Sequence, residues 1–294
     1  MKKGWNFNNS HIADYAKRDI RKVTLLYLLE MGEKKDVLSC ARLVHQELPI
    51  RLARRLMGSF LLFISSSKAL QKLPFIVGVN PYIKQIYDLY QSSFETIIRL
   101  PEPVTQESQA LLADKLAELT QNHQNVLPEL AQGFHECGKY LAKETTQQFL
   151  DGMIKARIGI RVLAEHFLAL HNTTHLKCNG IVDSQLKPFE IIKSIADYVS
   201  EISDINYAVA PGYTINGHTD TVIAYIPSHL EYMLMELLKN AMRATVEYNQ
   251  KIGKIIIPEV EISIAKGQSD ITIRIRDVGG GISPEHIRNV FEYA

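Results

Sequence analysis

The sequence predicts an α+β protein in two parts, a helical bundle followed by a mixed sheet with helices over one face. Three observations carry that expectation. From residue 11 to about 175, apolar residues recur at three- and four-residue spacing, which is how helices with one buried stripe read. After Asn172 the pattern shortens to strict alternation in EVEISIA (259–265) and DITIRIRD (270–277), the mark of strands with one buried face. Between these lie two amphipathic helices, KPFEIIKSIADYVSEI and the segment around MELLKNAMRAT, long enough to cover such a sheet.

In the first part, DVLSCARLVHQEL, PYIKQIYDLYQSSFETI, ESQALLADKLAELTQNHQ and FLDGMIKARIGIRVLAEHFLAL each form an amphipathic helix, and short links between long helices predict an up-and-down bundle. In the third of these, Leu111, Leu112, Leu116 and Leu119 make the buried stripe, leaving Asp114, Lys115 and Glu118 wet. Pro128 should kink or end its helical pattern, because it lacks an amide hydrogen and crowds the preceding turn. SFLLFISSSKALQK (59–72) has no clear period in its apolar half and reads as loop in its serine-rich half.

In the second part, GIVD (180–183) reads as a short strand. GYTINGHTDTVIAYI places an Asn216-Gly217 turn between β-prone flanks. Ser228 with Glu231 three residues on makes a capping-box pattern for the next helix. Lys266-Gly267-Gln268-Ser269 then joins two alternating strands into an antiparallel hairpin. The expected domains are residues 1–175 and 176–294.

Bulk properties exclude several classes. The 294 residues are 46% apolar and 22% charged, with a formal charge of +1, so no electrostatic pull toward nucleic acid is indicated. Apolar runs such as Phe60 to Ile64 are far too short to cross a bilayer. Cys40, Cys137 and Cys178 are widely spaced and form no CxxC pair, which argues against a disulfide framework or a zinc site and suits a reducing compartment. The first thirty residues show no apolar signal core.

Two stretches point to chemistry. In MELLKNAMRAT (235–245), Glu236, Lys239, Asn240 and Arg243 fall on one helical stripe, opposite an apolar seam of Leu234, Leu237, Leu238, Ala241 and Met242. The stripe reads equally as the solvated side of an amphipathic helix. In DVGGGI (277–282), Asp277 ends a strand and Gly279, Gly280 and Gly281 permit positive φ and close backbone approach to a ligand. An ordinary turn has the same appearance.

ELLKNAMRAT resembles the N box, and DVGGGI the first glycine box, of the ATPase and kinase superfamily that includes gyrase, MutL and histidine kinases. More narrowly, ARLVHQELPIRLARR, LPFIVGVNP, ARIGIRVLAEHFLALH, INGH and IPSHLEYML are similar to the mitochondrial protein kinases that regulate 2-oxoacid dehydrogenase complexes. Tyr232 and the RIGIRVLA and LALH wording look closest to the branched-chain member of that group. The resemblance implies a four-helix, up-and-down bundle followed by an incomplete GHKL/Bergerat-type α/β sandwich.

It also implies roles. Glu236 would orient or deprotonate the attacking serine hydroxyl. Asn240 would offer its amide oxygen to Mg²⁺, with Lys239 and Arg243 near the phosphates of ATP. Asp277 would take the adenine amino group, with Gly279 and Gly281 against the nucleotide. Val290 and Glu292 match part of a K⁺ site. The chemistry would be phosphoryl transfer governed by positioning and charge neutralisation.

Arg157 and Arg161 match arginines of a regulatory region where acidic small molecules bind, although their spacing alone reads equally as surface charge. His166 is expected to be a packed core residue without a catalytic role. Implied partners are a dehydrogenase E1 subunit as substrate, a lipoyl-bearing E2 core and a second copy in a homodimer, in the mitochondrial matrix. A histidine-type kinase is disfavoured, since no phospho-acceptor histidine motif stands out.

Two departures from the resemblance shape the expectation. The sequence stops at NVFEYA, without the lid and second glycine box of the group, which predicts weak ATP binding and little kinase activity. The competing reading is a catalytically silent relative that binds lipoyl domains or dimer partners. Residues 59–72 look like an insertion of roughly ten residues, a length that surface loops tolerate.

Overall fold

A computed structural model describes residues 10–34, 36–64, 77, 79–172, 178–287 and 289–293, with backbone alone at 58–64 and 178. The chain divides into two compact units, one of residues up to Ile181 with Tyr293, the other from Val182 to Glu292.

The first unit holds helices α1 (Ser10–Ala16), α2 (Leu25–Lys34), α3 (Val37–Ile64), α4 (Pro81–Arg99), α5 (Gln106–Asn122), α6 (Val126–Cys137) and α7 (Lys143–Asn172), then the short strand β1 (Cys178–Asn179). The four long helices pack in a ring, α3 on α4, α4 on α5, α5 on α7 and α7 back on α3, with α1 against α3 and α6 against α4. Leu48, Leu52, Ile86, Phe94, Ile97, Leu112, Leu116, Leu163 and Phe167 fill the centre, all fully buried. Each such side chain contributes about 1.5–3 kcal/mol by leaving water.

Local signals set the helix starts. Asn80 caps α4 by accepting the Tyr82 and Ile83 amides, and Pro81 occupies the first helical position, where no amide hydrogen is needed. Thr105 and Ser108 form a reciprocal capping box on α5.

Two sequence expectations change here. Leu111 is 41% exposed, and the buried stripe of α5 is Leu112, Ala113 and Leu116 instead. Pro128 neither kinks nor ends a helix. The break comes earlier, after Asn122, and Pro128 lies in the first turn of α6, where its missing donor costs nothing. Pro49, which the sequence pattern did not flag, lies inside α3, and the helix runs through it to Ile64. The serine-rich half of the 59–72 stretch and its insertion reading lie outside the described residues.

The second unit comprises β2 (Val182–Leu186), α8 (Pro188–Tyr207), β3 (Tyr213–Gly217), β4 (Ile223–Tyr225), α9 (Pro227–Lys251), β5 (Val260–Lys266), β6 (Ile271–Arg276) and the short α10 (Pro284–Ile287). The expected hairpin is present, β5 and β6 pairing antiparallel with Ile262 opposite Ile275 and Ile264 opposite Ile273. β3 adds to the other edge of β5 in parallel, Tyr213 facing Val260 and Gly217 facing Ile264, so this sheet is mixed. α8 and α9 pack together, and Ile192, Ala196, Val199, Leu234, Leu238 and Met242 form one core with Val260, Ile262 and Ile264.

The turn expected at Asn216-Gly217 is not there: both residues belong to β3, opposite Ser263 and Ile264, Gly217 with φ 94. The chain turns only at Thr219–Asp220, where the Thr221 amide donates to His218 O at 3.3 Å, and the two flanking strands do not pair with each other. β3 joins β5, whereas β4 pairs antiparallel with β2. Glycine is required there because a Cβ would lie 2.2 Å from the Ile264 carbonyl oxygen. The Ser228–Glu231 capping box is also absent. α9 begins two residues earlier, with Ile226 as cap and Pro227 presetting the first turn. The strand read at 180–183 starts only at Val182, after a turn with Gly180 at φ 67.

Candidate functional site

α9 presents the polar stripe on its outward face. Glu236 is half-buried, and Lys239, Asn240 and Arg243 are exposed, while Leu234, Leu238, Ala241, Met242 and Val246 turn inward. Leu237 does not join the seam; it is 55% exposed. Helical geometry explains the correction, since Leu237 lies on the shoulder between the two faces, on the side shared with Ala244 and Tyr248.

Each cation on the stripe already has a carboxylate on its own helix. Lys239 Nζ donates to Glu236 Oε1 at 2.9 Å, and Arg243 Nε donates to Glu247 Oε1 at 2.8 Å. Glu247 also accepts the Tyr207 hydroxyl at 3.2 Å. The Arg243 hydrogen bond chiefly holds the Glu247 carboxyl below the usual carboxylate range. Glu247 was missed in the sequence because the stripe was read only as far as Arg243; its signal is the same four-residue step continued once more.

The glycine segment runs along the shoulder of that helix. A Cβ on Gly279 would sit 2.5 Å from the Ala244 Cβ and 2.8 Å from its carbonyl carbon, and one on Gly280 would strike the Tyr248 ring at 2.5 Å. Gly280 and Gly281 both have φ of 79. The absence of side chains at Gly279 and Gly280 is therefore used by α9 itself, while Gly281 has no atom near its Cβ position and needs glycine for its backbone angle alone. Asp277 Oδ1 accepts the Gly279 amide at 2.8 Å, which fixes the carboxylate's orientation.

The glycine segment is thus laid against the α9 shoulder that adjoins the stripe. A carboxylate, a side-chain amide and two carboxylate-paired cations on an open face, beside an aspartate on a glycine-rich turn, offer donors and acceptors to a charged ligand. No group of three metal-ligating side chains occurs among the described residues. A magnesium ion fits such a donor set, because it keeps water and phosphate oxygens and needs few protein ligands. Asn240 would supply one. Val290 and Glu292 lie in the final turn, where the Glu292 amide donates to Asn289 O at 3.0 Å.

A cavity of about 40 Å³ opens inside the bundle, lined by Leu48, Tyr90, Ser93, His123, Arg157 and Arg161 among others. The surface-charge reading of Arg157 is overturned, for it is only 7% exposed and hydrogen-bonds Tyr90. Arg161 is held by Glu165, Nε to Oε1 at 2.9 Å. His123 Nε2 lies 2.8 Å from Ser93 Oγ, and burial together with the Arg157 charge pushes its pKa down to about 4. A buried guanidinium beside a neutral imidazole favours a small anion.

Residues 22–187 match the family described as mitochondrial branched-chain alpha-ketoacid dehydrogenase kinase. Residues 225–294 match the histidine kinase-, DNA gyrase B-, and HSP90-like ATPase family. The chain is 30% identical to the mitochondrial pyruvate dehydrogenase (acetyl-transferring) kinase of Arabidopsis thaliana, over 98% of its own length and 78% of that protein. It is 28% identical to kinase 1 of the same description from Saccharomyces cerevisiae, over 96% of the chain and 70% of that protein. Against isozyme 1 from Homo sapiens the identity is 25%, over 95% of the chain and 66% of the relative.

Proposed function

Because the chain belongs to the mitochondrial 2-oxoacid dehydrogenase kinase family, we propose that it is an ATP-dependent protein serine kinase whose nucleotide site is the α9 stripe and the Asp277 turn. The observation that carries this reading is the packing of Gly279 on Ala244, which brings the two motifs side by side on one helix.

In this reading Asp277, oriented by the Gly279 amide, receives the adenine amino group. Lys239 and Arg243 exchange their intrahelical partners for phosphate oxygens, which releases Glu236 to hold the proton of the attacking serine hydroxyl. Asn240 gives its amide oxygen to Mg²⁺. The bound ion supplies neutralisation of charge on the transferring phosphoryl group. K⁺ at Val290 and Glu292 would add a further ligand-dependent contact in the final turn.

The substrate class in this reading is a serine of a dehydrogenase E1 subunit, the finer expectation being the branched-chain 2-oxoacid complex. That preference rests on the likeness of Tyr232 and the RIGIRVLA and LALH wording alone; the relatives compared above are named for pyruvate dehydrogenase. A lipoyl-bearing E2 core and a second copy of the chain complete the proposed assembly, in the mitochondrial matrix. Arg157 and the cavity beside it would receive a small acidic regulator.

Titration calorimetry with Mg-ATP tests the site. Asn240→Ala should weaken binding at least tenfold while the far-ultraviolet circular dichroism stays unchanged, since Asn240 is exposed. A variant that binds Mg-ATP and phosphorylates E1 as the parent does would overturn the magnesium assignment. Parallel assays on branched-chain and pyruvate E1 decide the substrate.

A further inference from the structure

Thr245 and Asn249 continue α9 beyond the stripe but face inward, and both are fully buried. A buried asparagine inside a helix is a poor choice on propensity and on desolvation unless its amide is fully used. Asn249 Nδ2 spends both hydrogens, one on Thr245 O at 2.8 Å and one on Val278 O at 2.9 Å. Thr245 Oγ1 donates to Ala241 O at 2.8 Å and accepts the Val278 amide at 3.4 Å. Both polar groups of the Val278 backbone are therefore taken by α9. The Val278 side chain is 41% exposed, so backbone bonding rather than side-chain burial anchors the turn. Asn249 Oδ1 is buried without a hydrogen-bond partner among the described residues, a cost that an apolar residue here would avoid.

We infer that Asn249 and Thr245 are positioning residues of the nucleotide site: by clamping Val278, they fix where Asp277 presents its carboxylate to the base. The inference rests on the ATP reading above for its ligand, and on geometry alone for the clamp. The sequence of contacts is short. α9 holds Val278, the next amide, that of Gly279, holds Asp277 Oδ1 at 2.8 Å, and the loop can lie this close because Gly279 and Gly280 carry no Cβ.

The test uses the full chain with Asn249→Ser, Thr245→Val and Thr245→Ser. A serine at 249 can bond back to the Thr245 carbonyl but is too short to reach Val278, so that variant cuts the clamp and spares the helix. Amide hydrogen exchange at Val278 and Gly279 should quicken about tenfold in Asn249→Ser and Thr245→Val, and stay near the parent rate in Thr245→Ser. Affinity for Mg-ADP should fall about tenfold in the same two variants, with Mg-tripolyphosphate, which lacks a base, bound as before. Unchanged exchange, or equal losses for both ligands, overturns the positioning role. Should the parent itself bind no Mg-ADP, the ATP reading fails, and exchange alone then decides the clamp: lost protection sustains it and retained protection overturns it.

Discussion

Replacing His166 by glutamine should remove a large share of the protein's sensitivity to mild acid. His166 lies on α7, fully buried, and its Nδ1 accepts the Ile181 amide at 3.4 Å. That contact leaves the proton on Nε2, which is buried without a partner among the described residues. Burial pushes the pKa from 6.5 down to about 4. The imidazole is thus neutral in the fold and charged in the unfolded chain between those two values, so the unfolded state binds more protons and stability falls as pH drops through that window. At about 1.4 kcal/mol per pH unit, the full loss is about 3 kcal/mol below pH 4, and about 2 kcal/mol is gone by pH 5. Glutamine can still accept the Ile181 amide but does not titrate. Urea unfolding at pH 7 and pH 5 measures the difference, with the parent expected to lose about 2 kcal/mol more than His166→Gln. Equal losses in the two proteins would refute the buried, neutral histidine.

Three further substitutions test the glycine turn and the bundle cavity. Gly279→Ala drives a Cβ into the Ala244 backbone and should lower Mg-ADP affinity more than tenfold by calorimetry. Gly281→Ala meets open space and only its φ of 79, so thermal unfolding should report a cost of about 1 kcal/mol, with Mg-ADP affinity falling less than in Gly279→Ala. Arg157→Gln removes the buried charge beside His123, and stabilisation of the parent by small monocarboxylates in thermal shift should vanish in the variant.

The legible parts of this structure were those written in local periodicity. Strict alternation around Ile262, Ile264, Ile273 and Ile275 predicted the hairpin and its buried face, because a strand's period of two leaves one register that hides all four. Leu111 and Leu237 were misplaced for the opposite reason. Helical spacing leaves shoulder positions ambiguous, and only packing decides them. Asn216-Gly217 carried a turn signal but was absorbed into β3, since parallel addition to β5 depends on a distant segment that local sequence does not show. Ser228 and Glu231 matched a cap pattern that Pro227 and Ile226 displaced. The stripe residues could be named in advance, but Thr245 and Asn249 could not, for their meaning lies in the Val278 backbone, 33 and 29 positions later.

Leaving β3 at Gly217 and rejoining its sheet at Val260, the chain passes through α9 on the way. The hairpin of β5 and β6 is a neighbourly pairing that can close early, whereas β3 must wait until that excursion is folded and its entropy has been overcome. The helix bearing the stripe is thus also the tether that lets two parallel strands meet. Its solvent side can be altered without disturbing how the domain assembles, but injury to its apolar seam of Leu234, Leu238 and Met242, which packs on Val260, Ile262 and Ile264, is felt by the sheet before it is felt by the chemistry.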